Sequence, residues 1–219
     1  MARALDLHSR GRGFDSLILH MNWSDELKVV WITPMRTGTR SSGEIMWKLN
    51  FKTTDNKRPP IHSISVPIGK EDYYLVFNCR NPYSRMVSMF YLTMSRENNF
   101  NQTFRSWVDW NFILMEEYFN IFLYPRIKML PKTPDYFVRM ESFSEDIKSI
   151  WFVKENEKIL SDVIENNINK NGFDKEFSEK GFDKKNSWKE YYDEEIADVV
   201  YKKLKIDFDY FNYDKNSWK

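Results

Sequence analysis

Two short apolar runs in this chain each lead directly into a cationic, hydroxyl-rich turn and then into a helical pattern. The first run is Lys28–Thr33 (KVVWIT), and the second is Tyr73–Cys79 (YYLVFNC). Runs of this kind predict buried strands. Strands that alternate with helices along a chain favour a parallel sheet with helices on its faces. The pattern therefore predicts an α/β fold, a three-layer sandwich with a central parallel β-sheet.

The rest of the chain continues this alternation. Helices are predicted after Pro82 and at residues 40–49, 104–119, 145–153, 157–165 and 193–204, and further strands at 61–66 and 136–140. Residues 52–60 end in two prolines and are predicted to be a loop. We expect a polar N-terminal lead-in at 1–27, a single domain at 28–214 and a tail at 215–219.

Composition argues against several classes of protein. The 219 residues carry 33 Lys and Arg against 32 Asp and Glu, a net charge of +1. Nucleic-acid-binding proteins usually have a strong basic excess, so no nucleic-acid partner is expected. The single cysteine excludes an intrachain disulfide and a zinc site of several thiolates, and the three scattered histidines indicate no metal cluster. No apolar stretch is long enough to span a membrane, so a cytoplasmic location without membrane insertion is expected.

The first turn, Pro34–Ser42, reads PMRTGTRSS and lies between a predicted strand and a predicted helix. Backbone N–H groups and the helix dipole converge at such a position and bind anions. Gly38 permits a tight turn, Arg36 and Arg40 add positive charge, and the Thr and Ser residues add hydroxyl donors. The NTPase P-loop, G-x-x-x-x-G-K-S/T, is absent because there is one glycine and no lysine before the serine. An ordinary turn with surface arginines is the alternative.

The second turn opens the segment Arg80–Ser88 (RNPYSRMVS) and again follows a predicted strand. Open α/β sheets bind ligands at the carboxyl ends of their strands, where Arg80 leaves the sheet. Ser84 and Ser88 lie four residues apart on one helical face. Arg80 and one of these serines are thus predicted to form a second anion site. The alternative is that Arg80 and Arg85 pair with acidic neighbours.

Two anion sites at neighbouring strand ends suggest a ligand with phosphate groups at two points. Here the chain resembles the sulfotransferases that use 3′-phosphoadenosine 5′-phosphosulfate (PAPS). Their 5′-phosphosulfate loop typically has the form P-K/R-S/T-G-S/T-S/T-S/W/L, and Pro34–Ser42 resembles it with Met35 inserted. Their 3′-phosphate motif has the form R-N/D-P-x-x-R-x-x-S-x-Y/F, which Arg80–Phe90 matches almost position for position. Weaker similarities follow at 137–141, 188–192 and 207–213, so that the resemblance extends from about residue 28 to 214.

The resemblance implies a P-loop-like nucleotide-binding fold and an enzyme that moves a sulfuryl group from PAPS, its co-substrate, to a hydroxyl group without a metal ion. Arg36 would stand where most members have a lysine beside the leaving oxygen, and would neutralise the charge that develops there. Arg80 and Ser88 would hold the 3′-phosphate. The 5′-phosphosulfate would be surrounded by Arg36, Thr37, Gly38, Thr39, Arg40 and Ser41.

Two further assignments follow from the same resemblance. Lys180 resembles a basic residue that closes over the 3′-phosphate in some members, and Lys184 and Lys185 are alternatives for that role. His62 is the candidate general base, because an imidazole with its ordinary pKa of about 6.5 accepts a proton at neutral pH. A structural histidine, with the base instead among the carboxylates, is the alternative.

The acceptor and two rival functions stay open. A small molecule or a saccharide is the expected acceptor, and phenol, lipid and protein hydroxyl groups are all compatible with the sequence. The aromatic helix at 104–119 is either a wall of the acceptor pocket or part of the core. A nucleotide-dependent phosphotransferase is disfavoured by the missing P-loop lysine. A non-catalytic nucleotide-binding homologue is favoured by one feature, Arg36 in place of lysine.

Overall fold

The structure is a computed structural model that describes residues 21–54, 65–97, 101–117, 128, 130, 132–156, 161 and 185–219. The described strands are β1 (Asn22–Ser24), β2 (Val29–Ile32), β3 (Lys52–Thr53), β4 (Tyr74–Cys79) and β5 (Tyr136–Arg139). The described α-helices are α1 (Thr39–Lys48), α2 (Pro82–Glu97), α3 (Phe104–Glu117), α4 (Phe143–Ser149), α5 (Trp151–Lys154) and α6 (Glu194–Tyr210). Short 3-10 helices lie at Met140–Ser142 and Trp188–Tyr191.

The five strands form one sheet in the order β3-β1-β2-β4-β5. β2, β4 and β5 are parallel, with Ile32 opposite Phe77 and Cys79 opposite Arg139. β1 is antiparallel to both β2 and β3. The α/β class is confirmed, but the prediction of a wholly parallel sheet is wrong. The connection between β1 and β2, residues 25–28, is too short for the crossover that parallel neighbours need.

Both faces of the sheet are covered by other parts of the chain. Successive side chains of a strand point to opposite faces. Trp31 of β2 packs on one face with residues of α1, α4 and α5. Ile32 packs on the other face with Phe211, which follows α6 and stacks on Phe77 at a ring-centroid distance of 5.7 Å. Burial on both sides explains why β2 and β4 are almost continuously apolar in sequence.

A third cluster of buried side chains joins α2, α3 and α6. The rings of Phe90 and Trp107 have centroids 5.8 Å apart, and those of Tyr83 and Phe208 are 4.7 Å apart. Trp107 is 1% exposed, whereas Trp110 on the same helix is 60% exposed. The core interpretation of the aromatic helix is therefore confirmed for Trp107.

A buried ion pair links α2 to α6. Nη2 of Arg85 lies 3.6 Å from Oδ2 of Asp207, and the two side chains are 1% and 2% exposed. Burial lowers the pKa of Arg85, and the charge of Asp207 opposes this shift. Breaking such a pair leaves an uncompensated buried charge, so the contact holds α6 against the first turns of α2. The alternative prediction, that Arg85 pairs with an acidic neighbour, is thus correct.

Several element boundaries differ from the prediction. The predicted lead-in contains β1, and the predicted loop at 52–60 begins with β3. The predicted helix at 145–153 is two helices, because Ile150 between them has an extended backbone. The last helix continues to Tyr210 past a kink at Leu204.

Two predicted elements fall mainly outside the described residues. They are the strand at 61–66, of which the structure describes residues 65 and 66, and the helix at 157–165, of which it describes Ser161. Residues 65 and 66 are not part of a strand. Among the residues that the structure describes, no helix has the length and apolar character needed to cross a membrane.

Candidate functional site

The two cationic turns meet at one edge of the sheet. β2 and β4 are parallel neighbours, so the residues that follow Ile32 and Cys79 leave the sheet at the same edge. Nε of Arg36, in the first turn, donates to Oγ of Ser88 on α2 at 2.8 Å. Nη1 of Arg80 donates to the backbone oxygen of Arg36 at 3.5 Å. The structure therefore brings together Arg36, Arg80 and Ser88 from the two predicted anion sites.

The first turn depends on Gly38. Its φ of 84° lies in the left-handed region, and a Cβ at this position would lie 2.0 Å from the sulfur of Met140. Gly38 is also the N-cap of α1, and its oxygen accepts the first helical hydrogen bond, from N of Ser42, at 3.1 Å. The N–H groups of the three residues before Ser42 point out of the helix N-terminus, where they can bind an anion. The first turn of α1 contains no acidic residue that would repel one.

The threonine hydroxyl groups of this loop point inward. Oγ1 of Thr37 donates to the backbone oxygen of Pro34 at 2.6 Å, and Oγ1 of Thr39 donates to the same oxygen at 3.2 Å. A hydroxyl has one proton to donate, so both side chains stabilise the turn in this conformation. Arg40 is exposed and Ser41 half-buried on the first turn of α1. The loop thus offers an anion its helix amides, its arginines and Ser41 instead of the two threonine hydroxyls.

Asn78 supports the loop from the adjacent strand, a role that the sequence prediction missed. Its Nδ2 donates to the backbone oxygen of Thr37 at 2.8 Å and to Oγ of Ser42 at 2.7 Å. Its Oδ1 accepts from Nε1 of Trp31 at 2.8 Å. Asn78 is fully buried, so these bonds satisfy both its donors and its acceptor. The sequence signal for this role was Asn78 itself, a polar amide within the otherwise apolar run YYLVFNC.

The second turn is held by residues from distant parts of the chain. Nε of Arg80 donates to Oγ of Ser84 at 2.6 Å, so Arg80 contacts Ser84 while Ser88 contacts the other arginine. The backbone N–H of Asn81 donates to Oε1 of Glu141 at 2.9 Å. Oε2 of Glu141 accepts from the hydroxyl of Tyr213 at 3.0 Å. The sequence prediction gave Glu141 and Tyr213 no role, although both lie in the weaker segments of family similarity.

Positive charge accumulates at this edge. Burial, followed by the charges of Arg80, Arg40 and Arg96, lowers the pKa of Arg36 to about 10, so Arg36 stays protonated at neutral pH. Arg96, eight residues beyond Ser88 on α2, was missed by the sequence prediction. Within the described part of the chain, Arg40, Arg80 and Arg96 form no ion pair with a carboxylate. A bound anion would reduce the repulsion among these guanidinium groups.

The structure does not describe every predicted site residue. His62, Lys180 and Lys184 are outside the described residues. Lys185 is described, and its Nζ donates to the backbone oxygen of Glu190 and lies 5.0 Å from the ring centre of Tyr191. The roles given to His62 and Lys180 stay predictions.

Comparisons of this chain with protein family models, with curated proteins and with solved structures find no match. The chemistry of the site therefore rests on its own residues. Helix amides and the guanidinium groups of Arg36 and Arg80 lie at the carboxyl edge of parallel strands. This arrangement suits a ligand with negative charge at two points.

Proposed function

We propose that this chain is a sulfotransferase with a P-loop-like nucleotide-binding fold, which transfers the sulfuryl group of PAPS to a hydroxyl acceptor. The observation that carries the proposal is the hydrogen bond of 2.8 Å between Arg36 and Ser88. It joins the segment that resembles the 5′-phosphosulfate loop to the segment that resembles the 3′-phosphate motif. A nucleotide with phosphate groups at both positions matches two such segments at one sheet edge.

The site residues divide between the two phosphate positions. Arg80 and Ser88 would hold the 3′-phosphate through charge-assisted and hydroxyl hydrogen bonds. Ser84 accepts from Nε of Arg80 at 2.6 Å, which orients the guanidinium before a ligand binds. The amides at the start of α1, with Arg40 and Ser41, would hold the 5′-phosphosulfate.

The proposed chemical step moves a sulfuryl group between two oxygens. The acceptor oxygen bonds to sulfur as the bond from sulfur to the phosphate oxygen breaks, and that oxygen keeps the electron pair. Arg36 would neutralise the charge developing there, but would not donate a proton, because it stays protonated at neutral pH. The acceptor proton passes to a base, for which His62 is the candidate and a carboxylate the alternative.

Two rival functions make different demands on the first turn. A phosphotransferase of the P-loop type needs a lysine before the serine, and this chain has Arg40 before Ser41. A nucleotide-binding protein without activity would use Arg80 and Ser88 in the same way. Arg36 in place of the usual lysine is the feature that favours this second rival.

Calorimetric titration tests the binding part of the proposal. We expect adenosine 3′,5′-bisphosphate to bind at least about 10-fold more tightly than adenosine 5′-phosphate, because the 3′-phosphate adds a charge-assisted contact. Equal affinities would contradict the assignment of the 3′-phosphate site.

Transfer of a labelled sulfuryl group tests the catalytic part. The labelled donor is incubated with saccharide, phenol, lipid and peptide acceptors, and with water alone. We expect label on at least one acceptor class. Tight binding of the bisphosphate with no transfer would favour the inactive nucleotide-binding protein, and magnesium-dependent ATP hydrolysis would favour the phosphotransferase.

A further inference from the structure

We infer that Glu141 is a positioning residue that aims Arg80 at the 3′-phosphate, an inference that rests on the proposed function for the identity of the ligand. Oε1 of Glu141 accepts from the backbone N–H of Asn81 at 2.9 Å, and Oε2 accepts from the hydroxyl of Tyr213 at 3.0 Å. Both carboxylate oxygens are thus used by donors other than Arg80. Glu141 thus holds the residue next to Arg80 without taking a hydrogen bond from the Arg80 guanidinium, which donates to Ser84 and to the backbone oxygen of Arg36.

The backbone of Arg80 is held on both sides. Cys79 precedes Arg80, and its Sγ lies 3.8 Å from the hydroxyl oxygen of Tyr213, whose proton is donated to Glu141. Asn81 follows Arg80, and its Nδ2 donates to Oγ of Ser217 at 2.8 Å. Tyr213 therefore connects the carboxylate that holds Asn81 to the residue before Arg80. We expect a shift of Tyr213 and Glu141 to move Arg80 relative to the N-terminus of α1, which carries the other phosphate position.

The charge of Glu141 supports the same role. Burial lowers the pKa of Arg80, and the negative charge of Glu141 is the largest opposing influence. Arg36, on the neighbouring turn, is repelled by Arg80 and by Arg40. A carboxylate beside Arg80 offsets part of this repulsion without occupying the anion position.

Glu141→Ala tests the inference through a selectivity ratio, the dissociation constant for adenosine 5′-phosphate divided by that for adenosine 3′,5′-bisphosphate. We expect the ratio to fall about 10-fold, because a displaced Arg80 loses its contact with the 3′-phosphate while the 5′ contacts persist. A purely structural loss weakens the binding of both nucleotides alike and leaves the ratio unchanged. Glu141→Gln keeps an acceptor for the Asn81 amide, so its ratio should stay within about 3-fold of the wild-type value.

Asp135→Ala is the matched control. Oδ2 of Asp135 accepts from the backbone N–H of Leu75 at 2.7 Å. Asp135 and Glu141 are both carboxylates next to β5 that accept from a backbone amide, Asp135 from one within β4 and Glu141 from one just after β4. Asp135 lies at the opposite end of these strands. We expect Asp135→Ala to lower the melting temperature and to leave the selectivity ratio unchanged.

The outcomes separate this inference from the proposed function. Selective binding by the wild type together with an unchanged ratio in Glu141→Ala overturns the inference and leaves the proposed function intact. A wild type that does not discriminate between the nucleotides overturns both. Should Glu141→Ala fail to fold, Tyr213→Phe removes one hydrogen bond to Glu141 and is expected to lower the ratio by about 3-fold. An unchanged ratio in Tyr213→Phe also overturns the inference.

Discussion

The side chain of Arg36 donates from Nε to Oγ of Ser88 at 2.8 Å, across 52 residues of sequence. Arg36 has a φ of 67°, a left-handed backbone conformation that is uncommon for a residue other than glycine. Its neighbours hold this conformation, because Arg80 donates to the oxygen of Arg36 and Asn78 donates to the oxygen of Thr37. Backbone strain of this kind is concentrated at functional sites. Arg36 combines this conformation with the side-chain bond that joins the two turns.

Arg36→Ala should lower kcat for sulfuryl transfer, to an acceptor or to water, by about 10²–10³-fold, with a much smaller change in nucleotide affinity. An interaction made mainly in the transition state affects kcat, whereas a uniform binding contact affects KM. Single-turnover transfer of label, combined with calorimetry, measures the two effects separately.

Arg105→Ala is the control for loss of an arginine. Arg105 of α3 forms surface ion pairs at the start of α6, with Asp193 at 2.7 Å and with Glu195 at 2.9 Å. We expect this variant to change neither kcat nor affinity. A change in KM alone for the Arg36 variant would make Arg36 a binding residue and not a catalytic one.

Arg80→Ala should weaken binding of adenosine 3′,5′-bisphosphate by about 10- to 100-fold and change binding of adenosine 5′-phosphate little. The reason is that the 3′-phosphate alone would contact Arg80. Arg139→Ala, at the end of the neighbouring strand, removes an arginine whose Nη1 lies 3.6 Å from Oδ2 of Asp146, and it should affect neither nucleotide. Equal losses for the two nucleotides in calorimetry would place Arg80 away from the 3′-phosphate.

The two strand-turn-helix segments were predictable because their determinants are local in sequence. The predicted strand at 28–33 and helix at 40–49 agree within one residue at each end with β2, Val29–Ile32, and α1, Thr39–Lys48. An apolar run, a glycine turn and a helical pattern lie next to one another there, so each limits the extent of the next. The meeting of the two turns then follows from the parallel pairing of β2 with β4.

The supporting contacts were not predictable, because they depend on residues far apart in sequence. Glu141 accepts a hydrogen bond from the N–H of Asn81, 60 residues away, and Asn78 donates to the oxygen of Thr37, 41 residues away. The inward hydroxyls of Thr37 and Thr39 both bond to Pro34, and a local pattern of Thr and Ser does not indicate which acceptor each hydroxyl meets. Sequence therefore indicated which segments carry the site but not how they are held.

Asp25 should make stability depend on pH at the edge of the sheet opposite the site. Hydrogen bonds from Lys70, then Lys52 and Tyr73, hold the pKa of Asp25 well below its usual range. Its contribution to the free energy of unfolding is therefore fully present above the unfolded-state pKa, about 3.9, and is lost as pH falls through the lower folded-state pKa. The pKa of Lys70 is raised, chiefly by Asp25, so its contribution persists at neutral pH and is lost only as pH rises through that raised value.

Asp25→Asn should consequently lower the melting temperature by a constant amount between about pH 5 and pH 9, and by less as the pH falls below about 4. Thermal unfolding across that range measures the difference. Asp72→Asn, which changes an exposed carboxylate in the same part of the fold, is the control for loss of an acidic side chain. A difference between wild type and Asp25→Asn that does not shrink in acid would contradict the assignment.

Gly38→Ala should destabilise the protein more than Gly69→Ala does. Both glycines have left-handed backbones, with φ of 84° and 78°, so both substitutions carry the cost of about 1–2 kcal/mol for an L side chain in that region. A Cβ at Gly69 would meet nothing within 4 Å, whereas a Cβ at Gly38 would lie 2.0 Å from the sulfur of Met140. The loss of unfolding free energy in Gly38→Ala minus the loss in Gly69→Ala therefore measures the contact with Met140.

Met140→Ala in the Gly38→Ala background isolates that contact. Removing the methionine side chain leaves the backbone strain at position 38 but takes away the atom that the new Cβ would meet. The double variant should thus be more stable than the sum of the two single changes predicts, by about 1 kcal/mol or more in a double-mutant cycle from denaturant unfolding. Additive single changes would mean that Met140 moves aside at little cost, and the sensitivity of Gly38 would then come from its backbone conformation alone.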